Sequence, residues 1–301
     1  MRPLKTSLIV PAYNEAEALP LVVKEYYPLV DEIIIVDDGS RDQTYAIAQT
    51  LADEKVREFK HAENSGKVAA LRTGLSRATG DIIVFTDADC TYPARYLPDF
   101  TNAIEGGADL VLGSREINRE NIPFFNRIGN TVFSLLAGYL SCQRIRDSQT
   151  GYRAFRREMF ERLDVDAKNL EFETKMTVRA AKRGYRVTEI PIEYRKRVGT
   201  SKLRPIHDGV KMFQALISIA WHESTIIGKV IMIPSLLFLL MGLGFGAMSI
   251  YERFTAYNLI HAYYPLIAVF LILFGIQLIS IGFIVDYLIN KLDRIEERMR
   301  G

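Results

Sequence analysis

The C-terminal quarter of this 301-residue chain contains two long apolar segments, and these constrain its fold most. Residues 230–250 include no charged side chain over 21 positions, and residues 264–285 repeat the pattern. A helix of that length spans roughly 31 Å, which matches a bilayer hydrocarbon core of about 30 Å. Pro234 would weaken a soluble helix but is tolerated in a membrane-spanning one. The pattern predicts two transmembrane helices, with two buried soluble helices as the alternative.

The charges that flank these segments predict their orientation. Residues 251–263 carry only Glu252 and Arg253 as full charges, whereas the tail from Lys291 to Arg300 is rich in Lys and Arg. Basic flanks are retained on the cytoplasmic side of a membrane. We therefore expect both termini in the cytoplasm and a short loop on the opposite side.

Overall charge and cysteine content exclude several classes of protein. The formal net charge is +2, from 38 basic and 36 acidic residues, so nothing indicates bulk binding to nucleic acid. The two cysteines, Cys90 and Cys142, lack the spacing of a zinc site or a disulfide framework.

The first 200 residues or so alternate between short apolar runs and longer amphipathic segments. The runs at residues 7–10, 32–36, 82–85 and 109–112 are rich in β-branched side chains. This alternation is typical of a mostly parallel α/β sheet. Ligands of such sheets bind at the carboxyl ends of the strands.

Polar motifs occur at those predicted strand ends. They are "PAYNE" after the first strand, "DDGS" after the second, "DADC" after the fourth and "GSR" after the fifth, with Pro11 ending the first strand. Carboxylates such as Asp87 and Asp89 are costly next to a buried strand unless a cation or hydrogen-bond donors compensate them. A solvated Asp-rich turn is the alternative for the pair alone.

Two of these motifs and one further segment also begin helices. Asn14 and Glu15 open one helix, and Asp37 and Asp38 form an acidic turn before another. Such groups suit the ribose and base of a nucleoside, although turn and helix-cap chemistry also explains them. Lys67 follows a glycine at a third helix start, where an anion would be stabilised, but the Walker pattern is absent.

Taken together, the motifs resemble those of glycosyltransferase family 2. The series is "PAYNE", "DDGS", "NSGKVAAL", "DAD", "GSR", "DSQTGYRAFRR" and "EFETKM". The resemblance implies an α/β GT-A fold that uses nucleotide-diphosphate sugars, followed here by two transmembrane helices. The segment "YRKRVGTSKL" before an apolar hairpin further resembles the dolichyl-phosphate and polyprenyl-phosphate sugar transferases.

This resemblance assigns a donor site. We expect the nucleotide sugar at Pro11, Tyr13, Asn14, Glu15, Asp37, Asp38, Lys67, Asp87, Ala88 and Gln149. A divalent cation, Mg²⁺ or Mn²⁺, would lie between Asp87, Asp89 and the diphosphate, where it stabilises the leaving group. Asp89 is the stronger candidate for the metal ligand.

A lipid monophosphate acceptor needs positioning more than deprotonation, because it is already largely dianionic at pH 7. Arginines suit that task. The predicted acceptor-phosphate residues are Arg115, Arg127, Thr131, Arg197, Ser201 and Lys202, and the predicted catalytic residues are Asp89, Arg115, Arg127, Asp147 and Arg197. Asp147 lies in the active-site wall by resemblance and has no assigned role. For the basic residues near Arg197, a generic anchor for anionic lipid head groups is the alternative.

The residues after the acidic pair bear on the donor. Many dolichyl-phosphate mannose synthases have Leu and Gln where this chain has Cys90 and Thr91. This departure favours a UDP-sugar, such as UDP-glucose or UDP-N-acetylglucosamine, over GDP-mannose.

The expected organisation has four parts. They are a cytoplasmic catalytic domain (1–204), an amphipathic interfacial linker (205–228), a transmembrane hairpin (229–290) and a cytoplasmic tail (291–301). The predicted activity is inverting transfer of one sugar to dolichyl or polyprenyl phosphate at the cytoplasmic face of the bilayer. A processive polysaccharide synthase and a non-catalytic membrane scaffold are the alternatives.

Overall fold

A computed structural model describes residues 4–163, 165, 171–199, 205–255 and 261–300 of the chain. The chain divides into two compact units, Met1–Ala220 and Trp221–Gly301. The first unit contains the sheet and its helices. The second contains the two long apolar helices.

The described part of the first unit has one seven-stranded sheet in the order β3-β2-β1-β4-β6-β5-β7. The strands are β1 (Thr6–Ala12), β2 (Glu32–Asp37), β3 (Val56–Lys60), β4 (Ile82–Phe85), β5 (Leu110–Ile117), β6 (Arg153–Arg156) and β7 (Val187–Glu193). All neighbouring pairs are parallel except those of β6, which runs antiparallel to β4 and β5. The prediction of a mostly parallel α/β sheet is confirmed.

Helices connect the strands and extend beyond them. They are α1 (Leu19–Tyr26), α2 (Thr44–Leu51), α3 (Lys67–Arg77), α4 (Leu97–Glu105), α5 (Phe124–Ser141), α6 (Arg157–Leu163), α7 (Glu171–Lys182), α8 (Pro205–Glu223), α9 (Ile226–Thr255) and α10 (Tyr264–Arg300).

The core lies on both faces of the sheet, because side chains alternate along each strand. Leu8 and Val10 of β1 pack on the face covered by α1 and α4, and Ile9 packs on the opposite face, covered by α3 and α7. A third apolar cluster joins α5 to α7 and α8 through Phe133 and Ile219. This cluster positions α5 beside the carboxyl end of β5.

Three details of the sheet differ from the sequence-based expectations. β6 was not predicted, because four residues of mixed polarity show no clear period. "GSR" was predicted to follow the fifth strand, but β5 continues to Ile117 because it pairs there with β7. Pro11 was predicted to end the first strand, but β1 continues to Ala12. β4 pairs with β1 only as far as Ile9, so the missing N–H of Pro11 leaves no gap in that ladder.

The second unit contains two helices long and apolar enough to cross a membrane by length and composition. The candidate spans are Ile226–Thr255 and Tyr264–Leu292, with mean hydropathies of 2.3 and 2.6. Only 17% and 22% of the residues in their apolar 18-residue stretches are buried. Small residues allow α9 and α10 to pack closely. A Cβ at Gly242 would lie 2.7 Å from the Ile272 side chain, and one at Gly275 would lie 2.8 Å from that of Leu239.

Candidate active site

A pocket of about 320 Å³ opens at the carboxyl ends of β1, β2 and β4. It is lined by Pro11, Ala12, Tyr13, Glu15, Asp38, Asn64, Gly66, Lys67, Asp87, Ala88, Asp89 and Arg197. Most of the residues predicted for the nucleotide sugar are among them. We call this cavity the nucleotide pocket, after the ligand that the sequence analysis predicts for it.

Asn14 connects two of the strand-end motifs. Its backbone is left-handed, with φ of 51°. Its N–H donates to Oγ of Ser40 at 2.9 Å, and its Oδ1 accepts the N–H of Arg41 at 2.8 Å. The next residue, Glu15, donates its N–H to Oγ1 of Thr44 at 2.8 Å. Asn14 therefore fixes the "PAYNE" turn against the "DDGS" turn and does not line the pocket.

The two aspartates of "DDGS" have different surroundings. Asp38 accepts the N–H groups of Ser65 at 3.0 Å and Gly66 at 2.8 Å, and it contacts Nδ1 of His61 at 2.7 Å. Its carboxylate thereby anchors the loop before α3. Asp37 is fully buried, and its Oδ1 has no hydrogen-bond partner among the described residues. Asp37 was predicted to bind the nucleotide sugar, but it is not among the residues that line the nucleotide pocket.

Lys67 begins α3 and links two acidic residues from distant parts of the chain. Its Nζ lies 2.7 Å from Oδ1 of Asp87 and 3.3 Å from Oε1 of Glu173 on α7. Burial by itself lowers the pKa of the ammonium, but these two carboxylates raise it above its usual value. Gly151 packs against the pair: a Cβ there would lie 2.8 Å from Oδ2 of Asp87.

Asp89 is held between a hydroxyl and an arginine. Its Oδ1 accepts Oγ1–H of Thr91 at 2.6 Å, and its Oδ2 lies 3.4 Å from Nη1 of Arg197, which also pairs with Glu15. Burial raises the pKa of Asp89, and the negative charge of Asp87 raises it further. The two carboxylates therefore repel each other.

These surroundings fit a divalent cation at Asp87 and Asp89. A cation would relieve the repulsion that raises the pKa of Asp89. Mg²⁺ is usually held by one or two carboxylates together with substrate phosphates and water. Among the described residues, no group of three or more His, Cys, Asp or Glu side chains is placed to hold a metal ion. The remaining ligands would come from the diphosphate of a donor.

A second cavity of about 540 Å³ lies between the end of β5, α5 and the loop before β6. Its lining residues are Ser114, Arg115, Glu116, Arg119, Ile122, Arg127, Asn130, Thr131, Ser134, Leu135, Arg144, Ile145, Arg146 and Asp147. Five of them are arginines. We call it the arginine pocket.

Arg115 and Asp147 form a two-pronged ion pair in its wall. Nε and Nη2 of Arg115 donate to the two carboxylate oxygens at 2.7 and 2.8 Å, and the Arg115 N–H donates to Oδ2 at 3.1 Å. Burial alone raises the pKa of Asp147, but the charge and hydrogen bonds of Arg115 hold it below its usual value. Asp147 is therefore ionised and fully engaged.

Arg127 has an N–H group that donates no hydrogen bond to the described residues. It lies on α5, one turn before Thr131, whose hydroxyl donates to the Arg127 carbonyl at 2.9 Å. Nε of Arg127 is buried and has no hydrogen-bond partner among the described residues. The guanidinium stacks 5.8 Å from the ring centre of Phe124. An anion in the pocket could accept a hydrogen bond from this group.

Two residues missed by the sequence reasoning support the pocket wall. Arg153 is fully buried and donates to the carbonyls of Ser148, Thr150 and Glu173 at 2.7–3.3 Å, which fixes the 148–150 loop against α7. Glu189 on β7 accepts the N–H groups of Arg146 and Asp147 at 2.9–3.0 Å. No feature of the sequence distinguishes Arg153 or Glu189 from a charged residue at an exposed position.

Aromatic rings connect the two pockets. The Arg115 guanidinium lies 5.4 Å from the ring centre of Tyr194, which lies 5.5 Å from that of Tyr92. The Tyr92 hydroxyl accepts the N–H of Gly151 at 2.9 Å, and Gly151 contacts Asp87. A chain of contacts through Tyr194, Tyr92 and Gly151 therefore links Arg115 in the arginine pocket to Asp87 in the nucleotide pocket.

Comparison with known proteins identifies the family. The model of "Glycosyl transferase family 2" matches residues 7–164. The chain belongs to glycosyltransferase family 2. Among its relatives, this glycosyltransferase is 32% identical over 221 residues to the dolichyl-phosphate hexose transferase of Haloferax volcanii, covering 72% of this chain and 94% of the relative. It is 34% identical over 214 residues to the polyprenol monophosphomannose synthase of Mycolicibacterium smegmatis, covering 66% and 81%.

A solved structure confirms the fold. The glucosyl-3-phosphoglycerate synthase of Mycobacterium tuberculosis, in complex with Mn²⁺, UDP and glucosyl-3-phosphoglycerate, superposes with a TM-score of 0.57. The match covers 73% of this glycosyltransferase and 80% of the synthase at 22% identity. The predicted GT-A type of fold is thereby confirmed.

The remaining predicted residues of the glycosyltransferase fall in different places. Arg197 lies in the nucleotide pocket, apart from Arg115 and Arg127. Gln149 lines neither pocket, and its Nε2 donates to Oγ1 of Thr174 at 2.6 Å. Ser201 and Lys202 lie outside the described residues. The charged and amide lining residues that the sequence reasoning did not select are Asn64, Glu116, Arg119, Asn130, Arg144 and Arg146. The pair Arg144 and Arg146, directly before Asp147, was the available signal.

Proposed function

We propose that this glycosyltransferase transfers one hexose, with inversion, from a nucleotide-diphosphate sugar to dolichyl or polyprenyl monophosphate at the cytoplasmic membrane face. The observation that carries the proposal is the chain of contacts from Arg115 through Tyr194, Tyr92 and Gly151 to Asp87, which links an arginine pocket to an acidic nucleotide pocket. The relatives that act on dolichyl and polyprenyl phosphates support the acceptor. Inversion is inferred from the family.

On the donor side, Asp87 and Asp89 would hold the divalent cation, which neutralises negative charge that develops on the departing diphosphate. Lys67 carries its charge beside Asp87, where it lowers the cost of placing phosphates near two carboxylates.

On the acceptor side, Arg115, Arg127 and Thr131 would bind the lipid phosphate. Asp147 is not suited to act as a general base, because both of its oxygens are bound to Arg115 and its pKa is lowered. A dianionic phosphate needs no base to become a nucleophile. The arrangement thus fits a phosphate acceptor better than a hydroxyl acceptor.

Arg197 would act between the two substrates. It contacts Asp89 and Glu15, and backbone hydrogen bonds from Arg195 to Thr91 and from Val198 to Asp89 hold its segment over the acidic loop. A guanidinium at that place would contact a phosphate oxygen once a cation engages Asp89.

The membrane is part of the proposal. α9 and α10 would span the bilayer with both termini cytoplasmic, as their flanking charges predict. In the first unit, α5 exposes Phe124, Ile128 and Leu135, and Leu135 also lines the arginine pocket. Such an apolar stripe beside arginines suits the membrane interface, where a prenyl chain could reach the pocket.

The donor is proposed to be UDP-glucose or UDP-N-acetylglucosamine in preference to GDP-mannose. At Thr91, where many mannose synthases have Gln, the short hydroxyl already bonds to Asp89. Purified protein is incubated with dolichyl phosphate, Mg²⁺ and radiolabelled UDP- or GDP-sugars. We expect label from a UDP-sugar in the chloroform-extractable product. Label from GDP-mannose alone would reverse the donor preference, and none from any donor would refute the lipid acceptor.

A further inference from the structure

The arginine pocket contains two carboxylates among its five arginines. Asp147 has both oxygens bound to Arg115. Glu116 is engaged at one oxygen only. Its Oε1 accepts Oγ–H of Ser114 and Nη1–H of Arg146, each at 3.0 Å, whereas its Oε2 accepts no hydrogen bond from the part of the chain that the structure describes.

Glu116 is ionised at neutral pH and partly open to the cavity. Burial raises the pKa of its carboxyl, but the hydrogen bonds from Arg146 and Ser114 outweigh this and lower it. Its side chain remains 36% exposed. A negative charge with a free oxygen therefore lines a pocket that otherwise attracts anions.

We propose that Glu116 determines acceptor specificity by rejecting lipid diphosphates in favour of lipid monophosphates. This inference rests on the proposed function of the pocket. Arginines attract a head group whether it carries one phosphate or two. Discrimination against a second phosphate therefore needs a repulsive element. Glu116 supplies that element, since a second phosphoryl group would bring further negative charge towards its free oxygen.

The position of Glu116 separates this role from simple neutralisation of an arginine. Arg115 and Arg127, which we assign to the acceptor phosphate, are not its partners; it pairs with Arg146. A monophosphate can therefore bind without displacing Glu116. A larger, more highly charged head group would have to approach it.

The test compares farnesyl phosphate as acceptor with farnesyl diphosphate as competitor, using the full-length protein in detergent. For Glu116→Gln we expect the inhibition constant of farnesyl diphosphate to fall about tenfold, because a like charge has been removed, and KM for farnesyl phosphate to fall by a smaller factor, so that the ratio of the two constants changes. Glu120→Gln is the matched control. It removes the same charge four residues away at an exposed position outside the pocket lining, and neither constant should change.

Equilibrium dialysis of radiolabelled farnesyl diphosphate provides a readout that does not need turnover. Tighter binding to Glu116→Gln, with wild-type binding by Glu116→Asp, supports the inference. Equal binding by wild type and Glu116→Gln overturns it, even when transfer to farnesyl phosphate proceeds. Loss of affinity for both ligands in Glu116→Gln would also overturn it, because the residue would then only support the pocket. Absence of transfer in the wild type would instead refute the proposed function, and the dialysis would still report on Glu116.

Discussion

Asp147 holds the guanidinium of Arg115 with both carboxylate oxygens, and both side chains are less than a tenth exposed. Buried ion pairs of this geometry are sensitive to the loss of one partner, because the remaining charge is left without compensation. The pair therefore supports the wall of the arginine pocket and orients an arginine proposed to bind phosphate.

Replacing Asp147 by Asn should destabilise the protein by about 3 kcal/mol, the lower end of the cost of breaking a buried pair. It should also raise KM for the lipid phosphate, since Arg115 loses its fixed orientation. Thermal unfolding in detergent and acceptor kinetics measure the two effects. Asp99→Asn, at an exposed position on α4, serves as control. Wild-type stability of the Asp147 variant would contradict the structural role.

The same pair predicts a dependence of stability on pH. The pKa of Asp147 is lowered in the folded protein, so its contribution is fully present above the ordinary value of 3.8 and is lost as the pH falls through the lower folded value. Asp147→Asn has no group to titrate there. The stability difference between wild type and variant should therefore shrink between pH 5 and the acid limit. A difference that stayed constant down to about pH 2 would show that Arg115 does not cause the lowered pKa.

Replacing Asp89 by Asn should abolish metal-dependent turnover, because the variant removes a carboxylate from the proposed cation site. Binding of Mn²⁺ in the presence of a nucleoside diphosphate, followed by electron paramagnetic resonance, tests the site independently of activity. Membrane insertion should remain unchanged. A variant that binds Mn²⁺ as tightly as the wild type would remove Asp89 from the metal site.

Gly151→Ala should weaken donor binding without affecting the acceptor. The added methyl group would lie 2.8 Å from Oδ2 of Asp87 and 3.0 Å from Nζ of Lys67, so the ion pair would have to move. We expect KM for the donor to rise about tenfold, equivalent to 1.4 kcal/mol. Gly246→Ala is a suitable control, because a Cβ there meets nothing closer than 3.9 Å. Unchanged donor kinetics would show that Asp87 tolerates displacement.

Most residues that line the nucleotide pocket were predicted from the sequence, whereas only some of those that line the arginine pocket were. Asp87 and Asp89 follow a short apolar strand, and the order of parallel strands brings such strand ends together. Arg115 and Arg127 were selected by their chemistry. Glu116 and Glu189 were not, because their roles depend on contacts with residues 30 and more than 40 positions away. Arg153 was missed for a related reason: its three carbonyl partners become a binding site only after the 148–150 loop folds against α7.

The sequence by itself determined the class of fold, the family and the two apolar helices, because these depend on local patterns of hydrophobicity and on motifs at strand ends. Only the tertiary structure decided which carboxylates have hydrogen-bond partners for both oxygens and which do not. Asp38 and Asp147 have their carboxylates occupied, whereas Glu116 retains an oxygen without a partner among the described residues. That distinction depends on hydrogen-bond partners brought together from distant parts of the chain, which local sequence patterns do not specify.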